Sequence, residues 1–358
     1  MRLLITTQAV DLDEPVLNFF HRWIEELAKR VESIEVICLK EGEHHLPANV
    51  RVYTLGKPSS ATTSLGFIAR IKYTLRFLSF AWKLRDTYDT VFVHMNPEYI
   101  VLAGWFWKLS GKKVALWYNH PARPWSLVVA SWFADIIFHT SPYAASAYYA
   151  QAKRMPAGID TDVFKLIPVE RDRSEAYMQG RITPDKRVHV ALAALRELRK
   201  STDARLTIVG PLLNPVYAAE LKQEYASELA SGAATFAGSK RNSETPALYS
   251  AAGVAINLAE AGHFDKTVLE PMACETPVIV GSPAFAGLIP EEWVVDGTDS
   301  HALAEALARL IALPEAEYRA LGSHLRAGVV REHSLTALAD RLAAELKSAS
   351  DAAPRSVL

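Results

Sequence analysis

Two doubly wound α/β domains in tandem are predicted by three observations. Short apolar runs alternate with longer helical patterns, a charged and aperiodic stretch interrupts them near the middle, and 358 residues exceed what one ordinary core organises. Runs that are apolar on successive residues mark strands covered on both faces, as parallel strands are.

In the first half RLLIT (2–6) opens as a strand, a helix follows from Leu17 to Arg30, and IEVICL (34–39) and VRVYTL (50–55) are strands. A helical pattern over 67–85 leads to TVFVHM (90–95), another over 98–109 leads to KVALWY (113–118), and DIIFHT (135–140) and AKRMPAG (152–158) follow. GIDTDVFKLIPVERDRSEAYM (158–178) carries proline and charge without periodicity and is assigned to the domain junction. Beyond it YMQGRI, ARLTIVG (204–210), ATFAG (234–238), GVAINL (253–258), TPVIVG (276–281) and WVVD (293–296) are strands. Helices are expected over 185–200 and 214–231, between GVAINL and TPVIVG, and over 299–312 and 314–347. The first domain is therefore set at 1–165 and the second at 166–345, its last helix a candidate to return to the first. Residues 346–358 form a flexible tail. Ligand loops belong at the carboxyl ends of the strands, facing a central cleft.

Composition narrows the function. A net charge of −1 with 22% charged residues is a globular composition without the basic excess of a nucleic-acid-coating protein. Cys38 and Cys274 both lie in apolar runs, as buried reduced thiols of a cytoplasmic protein do, and two cysteines exclude a cysteine zinc site. No apolar stretch is long enough to cross a membrane or act as a signal-peptide core. No GxGxxG follows the first strand, which argues against a dinucleotide oxidoreductase.

Two segments carry chemistry. In GRITPDKR (180–187), Gly180 and Arg181 leave a strand and Lys186 stands at a helix start, where a forked and a compact cation suit a diphosphate. The same spacing fits two solvated surface cations. In GHFDKTVLEPMACETPVIVG (262–281), Thr267 and Glu270 have capping-box spacing before Pro271, so a helix starts there with Asp265 and Lys266 at the loop crest. The plainer alternative is that Glu270 caps its own helix and Lys266 is solvated.

With LTIVGP, ATFAGSKRNSETPALYS and DGTDSHALAEAL, these segments form an ordered set over 177–312. The set resembles the C-terminal half of the family-4 glycosyltransferases, which have the GT-B fold of two Rossmann-like domains. QAVDLDEPVLNFFHRW, HMNPEY, LWYNH, TSPYAASAYYA and GIDTDVF are similar to the other half. The resemblance implies an acceptor-binding first domain and a nucleotide-sugar-binding second domain. By it Arg181 and Lys186 hold the donor diphosphate and Glu270 holds the ribose, while His120 lies near the transferred sugar. Gly180, Gly210, Ser239, Asp265, Lys266, Thr267 and Val268 complete the donor site, and Gln8, Asp11, His120 and His263 are candidate sugar or acceptor contacts. His120, Arg181 and Lys186 are then the catalytic candidates.

The implied reaction is retaining hexosyl transfer from a UDP- or GDP-linked sugar, without metal or other cofactor. Its acceptor is a glycan or a lipid-linked sugar in cell-envelope or exopolysaccharide assembly. Three positions depart from the family pattern. Gly262 stands where a first glutamate is usual, Glu275 replaces a glycine, and the first loop has Gln8, Asp11, Asp13 and Asn18 in place of a glycine pair. A non-catalytic subunit of the same fold is therefore the rival reading. A sugar epimerase would need acid and base carboxylates about the sugar, and no such constellation is evident.

The pairs Asp11/Asp13 and Asp160/Asp162 match a DxD spacing, but their places in loops point to turn hydrogen bonds instead of a metal. Over 65–85, Phe67, Ile71, Thr74, Leu75, Leu78, Ala81 and Trp82 recur at helical spacing among Arg70, Lys72, Arg76, Lys83 and Arg85. That pattern suits peripheral contact with an anionic membrane, or a domain helix with one face solvated. Trp105, Trp107, Trp117, Trp125 and Trp132 are expected in the core of the first domain.

Overall fold

The computed structural model describes residues 1–14, 17–58, 66–260 and 264–351. They form two compact units: one is residues 1–158 with the segment from Leu335 onward, the other residues 159–334. The division falls ahead of the expected 165/166 boundary and the return to the first unit ahead of 345.

The first unit contains β1 (Arg2–Val10), α1 (Phe19–Ala28), β2 (Ser33–Glu41), β3 (Val50–Thr54), α2 (Phe67–Lys83) and β4 (Thr90–His94). It continues with α3 (Glu98–Leu109), β5 (Lys113–Trp117), α4 (Trp125–Phe133), β6 (Ile136–His139) and a short β7 (Ala152–Arg154). Among the described residues the seven strands are parallel in the order β3-β2-β1-β4-β5-β6-β7, with Leu3 opposite Ile34 on one side and Thr90 on the other. Alternate residues of each strand enter opposite cores. Leu3, Ile5 and Val36 pack beneath Phe20, Trp23 and Ile24 of α1, while Leu4, Ile37 and Val91 pack beneath Phe77, Ile100, Trp107 and Leu127 of α2, α3 and α4. Burial on both faces is why these strands read as continuous apolar runs.

The second unit contains β8 (Asp172–Gln179), α5 (Val188–Leu198), β9 (Arg205–Val209), α6 (Pro215–Glu224), α7 (Ala226–Ala230) and β10 (Ala234–Phe236). It continues with α8 (Thr245–Ala251), β11 (Ala252–Asn257), α9 (Lys266–Ala273), β12 (Val278–Val280), α10 (Ser300–Ala312) and α11 (Glu315–His333). The parallel order is β10-β9-β8-β11-β12. The last helix, α12 (Leu335–Asp351), belongs to the first unit, where Leu338, Leu342 and Leu346 join the α1 core.

Several expectations are corrected. The single helix over 314–347 is two, because Ser334 is extended and bridges Ile159 while His333 O accepts the Ile159 amide at 2.8 Å. At Gly158, where the chain leaves the first unit, a Cβ would lie 2.4 Å from Leu338 and 2.8 Å from Trp23, and φ is +71°. Only glycine fits there.

β8 begins inside the stretch assigned to the junction, its charges paired instead of solvated. Asp172 and Glu175 bind Arg205, and Arg173 donates to the carbonyls of Leu310, Ile311 and Leu313. The 214–231 helix breaks at Tyr225. WVVD is no strand: Val294 makes one bridge to Val280, and Asp296 takes the Thr298 amide at 2.8 Å to turn the chain away. Trp107 and Trp117 are buried as expected, but Trp105, Trp125 and Trp132 are exposed. α3 and α4 are apolar on both faces, so periodicity does not show which face the sheet covers.

Candidate functional site

In the second unit strand order reverses between β8 and β11, so the loops leaving them diverge and open a crevice at their carboxyl ends. Met178, Gln179, Gly180, Lys186, Asn257 and Leu258 line it, with Arg181 at its edge. The crevice is held open by backbone. A Cβ at Gly210 would lie 1.8 Å from the Gly180 carbonyl oxygen, so only glycine allows the ends of β8 and β9 to come this close. The Gly210 amide donates to Gly238 O at 2.9 Å, and Ser239 follows exposed.

Lys186 is 8% exposed, and its Nζ lies 2.6 Å from Asp265 Oδ2. Asn257 Nδ2 donates to the same Asp265 oxygen at 3.3 Å and to Thr267 Oγ1 at 3.1 Å. Arg181 stays exposed, 3.9 Å from Asp185. The crevice thus has one cation buried against a carboxylate and one exposed beside another.

The capping-box reading is corrected. α9 starts at Lys266 with Asp265 as N-cap, and neither Thr267 nor Glu270 caps it, since both side chains are engaged elsewhere. The Val268 amide donates to Asp265 O at 3.1 Å. Glu270 points inward, accepting from Tyr249 Oη at 3.2 Å, and burial raises its carboxyl above the usual range. Burial also lowers the ammonium of Lys266, one turn earlier. Pro271 sits inside the helix, and the chain leaves it through Glu275 at φ 56°. Arg171 holds that left-handed turn by donating to Glu275 O at 2.7 Å.

The profile of the glycosyl transferases group 1 family matches residues 163–323, the stretch that holds this crevice. Residues 163–323 are thus similar to a glycosyl transferases group 1 domain. No curated protein matches the chain by sequence. Solved structures match across nearly its whole length. Anabaena Alr3699/HepE in complex with UDP-glucose is 16% identical with a TM-score of 0.74, over 97% of this chain and 99% of that one. Sucrose-phosphate synthase from Thermosynechococcus elongatus is 20% identical at 0.75, over 97% and 99%. A glycosyltransferase from Rickettsia africae is 14% identical at 0.75, over 98% and 99%. The fold is GT-B.

The first unit carries its candidates on separate loops. His120 follows β5 and is exposed, its Nδ1 accepting the Ala122 amide at 3.0 Å, so Nε2 carries the proton and faces outward. Gln8 Nε2 donates to Asn96 Oδ1 at 2.9 Å, joining the ends of β1 and β4. Asp11 is buried under Gly42 and lies 3.5 Å from Lys40, and it accepts the Asp13 amide at 3.0 Å. Asp160 likewise accepts the amides of Asp162 and Val163, a turn role as expected. Gly262 and His263 lie outside the described residues. Among the described residues no group of three or more His, Cys, Asp or Glu is placed to hold a metal ion.

Sequence reasoning missed Asn257 and Tyr249. Asn257 had a signal, as the polar residue ending an apolar strand. Tyr249 had none, since only the packing of α8 on α9 brings it to Glu270.

Proposed function

We propose that the chain transfers a sugar from a nucleotide-diphosphate donor to an acceptor hydroxyl with retention of configuration and without a metal ion. The observation that carries this reading is Lys186, a cation buried at the β8/β11 switch point of a glycosyl transferases group 1 domain. Its partner Asp265 stands in for an anion, and a donor phosphate takes the same place. Arg181 folds in from solvent to share the second phosphate charge.

Glu270 accepts from the ribose hydroxyls, oriented by Tyr249. The bond between the anomeric carbon and the diphosphate oxygen breaks while the acceptor oxygen attacks from the same face. The departing phosphate takes the acceptor's proton, so no protein nucleophile is needed. Lys186 and Arg181 stabilise charge that grows on the leaving group, which is where electrostatic help lowers the barrier. His120 orients the transferred sugar through Nε2–H.

α2 supports peripheral membrane contact. Phe67, Ile68, Ile71, Leu75 and Trp82 are exposed on it, and residues 67–83 carry Arg70, Lys72, Arg76 and Lys83 with no acid. An acceptor of cell-envelope or exopolysaccharide assembly fits that placement. The HepE complex makes UDP-glucose the first donor to try. Thermal shifts with UDP, GDP, ADP and their sugars, with and without Mg²⁺, should single out one nucleotide independently of metal, and release of that nucleotide should require an acceptor. A selective shift with no turnover on any acceptor would replace transfer with the non-catalytic reading.

A further inference from the structure

The segment 42–49 joins β2 to β3 and lies against α1. It is tied at both ends: the Gly42 amide donates to Val10 O and Asn49 Nδ2 donates to Ala28 O, each at 2.9 Å. Between those ties the His45 amide donates to Nε2 of His21 on α1 at 3.1 Å. His21 is 3% exposed, and its Nδ1 is buried 3.5 Å from Glu25 Oε1 without a hydrogen bond. An imidazole nitrogen that accepts an amide proton must be bare, so this ring is neutral with its proton on Nδ1.

The segment also covers part of the carboxyl end of β1. Glu43 O accepts the Leu12 amide at 2.9 Å, and a Cβ on Gly42 would lie 2.1 Å from Asp11 Cγ. Asp11 is accordingly only 9% exposed. A proton on Nε2 of His21 would turn an acceptor facing a donor into two N–H groups facing each other. Burial holds the ring below the ordinary 6.5; Glu25 on α1 opposes this, while His44 and His45 on the segment and Arg22 on α1 add to it. His44 and His45 are paired in turn with Glu41 at 3.2 Å and Glu43 at 3.3 Å, and Asp11 lies 3.5 Å from Lys40.

We propose that His21 is a pH-operated latch: neutral, it holds segment 42–49 on α1 and over Asp11, and protonated, it releases the segment. Asp11 is a candidate sugar or acceptor contact, so the latch sets whether that carboxylate meets solvent. The sign follows from the buried ring. Docking is complete above about 6.5 and is lost as pH falls through the lower value of the folded ring.

Hydrogen exchange of the whole protein at about pH 8 and about pH 5, either side of the imidazole range and scaled to the intrinsic exchange rate, reads the latch. The amide of residue 45 should lose at least about tenfold in protection at the lower pH, with that of Leu12 following, while the amides of β4 keep theirs. His21→Gln puts an amide oxygen near the place of Nε2 and does not titrate, so its protection should not respond to pH. The double variant His44→Gln/His45→Gln should respond as the wild type does. Where circular dichroism shows His21→Gln misfolded, Glu25→Gln decides instead: without the carboxylate that favours the imidazolium, opening should move to lower pH. The latch is overturned if the wild type does not open, if β4 loses protection with the segment, or if the response vanishes in the double variant. An unaltered response in His21→Gln, or in Glu25→Gln where that variant decides, overturns it equally. No donor or acceptor enters the measurement, so each of these results leaves the sugar-transfer reading standing.

Discussion

At the switch point of the second unit, Lys186, Asn257 and Asp265 meet at a tight crevice walled in part by Met178, Val188, Ile208 and Leu258 and braced by Gly180 against Gly210. At that of the first unit, β1 and β4 deliver the Gln8–Asn96 pair beside a roomy cavity walled by leucines and aromatics. Both crevices arise from the same topological rule, that loops diverge where strand order reverses. The difference lies in what the adjoining helices bring. α9 starts with Asp265 and Lys266 at the sheet, whereas α2 brings Tyr73 and Phe77 inward and leaves its cations outside. One scaffold thus makes a narrow crevice with a buried ion pair and a roomy, mainly apolar cavity.

The largest effect that would test this contrast belongs to Lys186→Ala. Removing a buried charged hydrogen bond of about 1.5–3 kcal/mol should weaken UDP binding by about ten- to a hundredfold. Unchanged UDP affinity would remove the crevice from the donor site. Arg181→Ala should cost about tenfold in UDP affinity with an unaltered melting temperature, because Arg181 is exposed and folds onto phosphate only when donor binds. A large loss of stability in that variant would mean a structural role instead.

A smaller effect is expected on the apolar side. Replacing Leu75 and Trp82, 63% and 58% exposed, together by glutamate should lower partition onto phosphatidylglycerol vesicles severalfold and leave UDP affinity unchanged. Sedimentation with vesicles measures it, and unchanged partition would take the membrane contact off α2.

The smallest effects lie away from the crevice, past the carboxyl end of α9 and beside that of α5, and test stability alone. Glu275→Gly should stabilise the protein by about 1 kcal/mol, since glycine adopts φ 56° without the Cβ clash that glutamate bears there. A denaturant titration reads this, and a loss of stability would show that the Glu275 contact with Ser323 outweighs the strain. Glu228 supplies a pH test. The hydrogen bond from Arg196 holds its carboxyl at about 2, below the ordinary 4.5, so its stabilisation is full above 4.5 and disappears as pH falls through 2. Glu228→Gln should flatten that acid limb of the melting temperature, and an unchanged limb would place the acid sensitivity elsewhere.

Much of this architecture was legible because buried parallel strands leave a signal that does not depend on their neighbours. TVFVHM, KVALWY, GVAINL and TPVIVG each contain a strand within a residue or two of where the apolar run places it. Charge misled where it was paired: β8 hid behind Asp172, Arg173 and Glu175, whose partners lie on β9 and at the end of α10. The cations of the crevice were visible in GRITPDKR, but spacing gave no hint that one would be buried and the other exposed. Tyr249 beside Glu270, and Tyr99 and Phe77 about one cavity, join residues far apart in the chain that no local pattern links.

The sequence by itself determined the two α/β series and the glycines at the strand ends, because each rests on local backbone preference or on burial along a single run. Tertiary structure alone decided that the chain recrosses to the first unit at Ser334, that Lys186 meets Asp265, and that Trp125 stands at a cavity mouth while Trp107 is sealed inside. Those outcomes depend on which helix face the sheet covers, and that is settled by packing between distant segments, where long-range burial outweighs local preference.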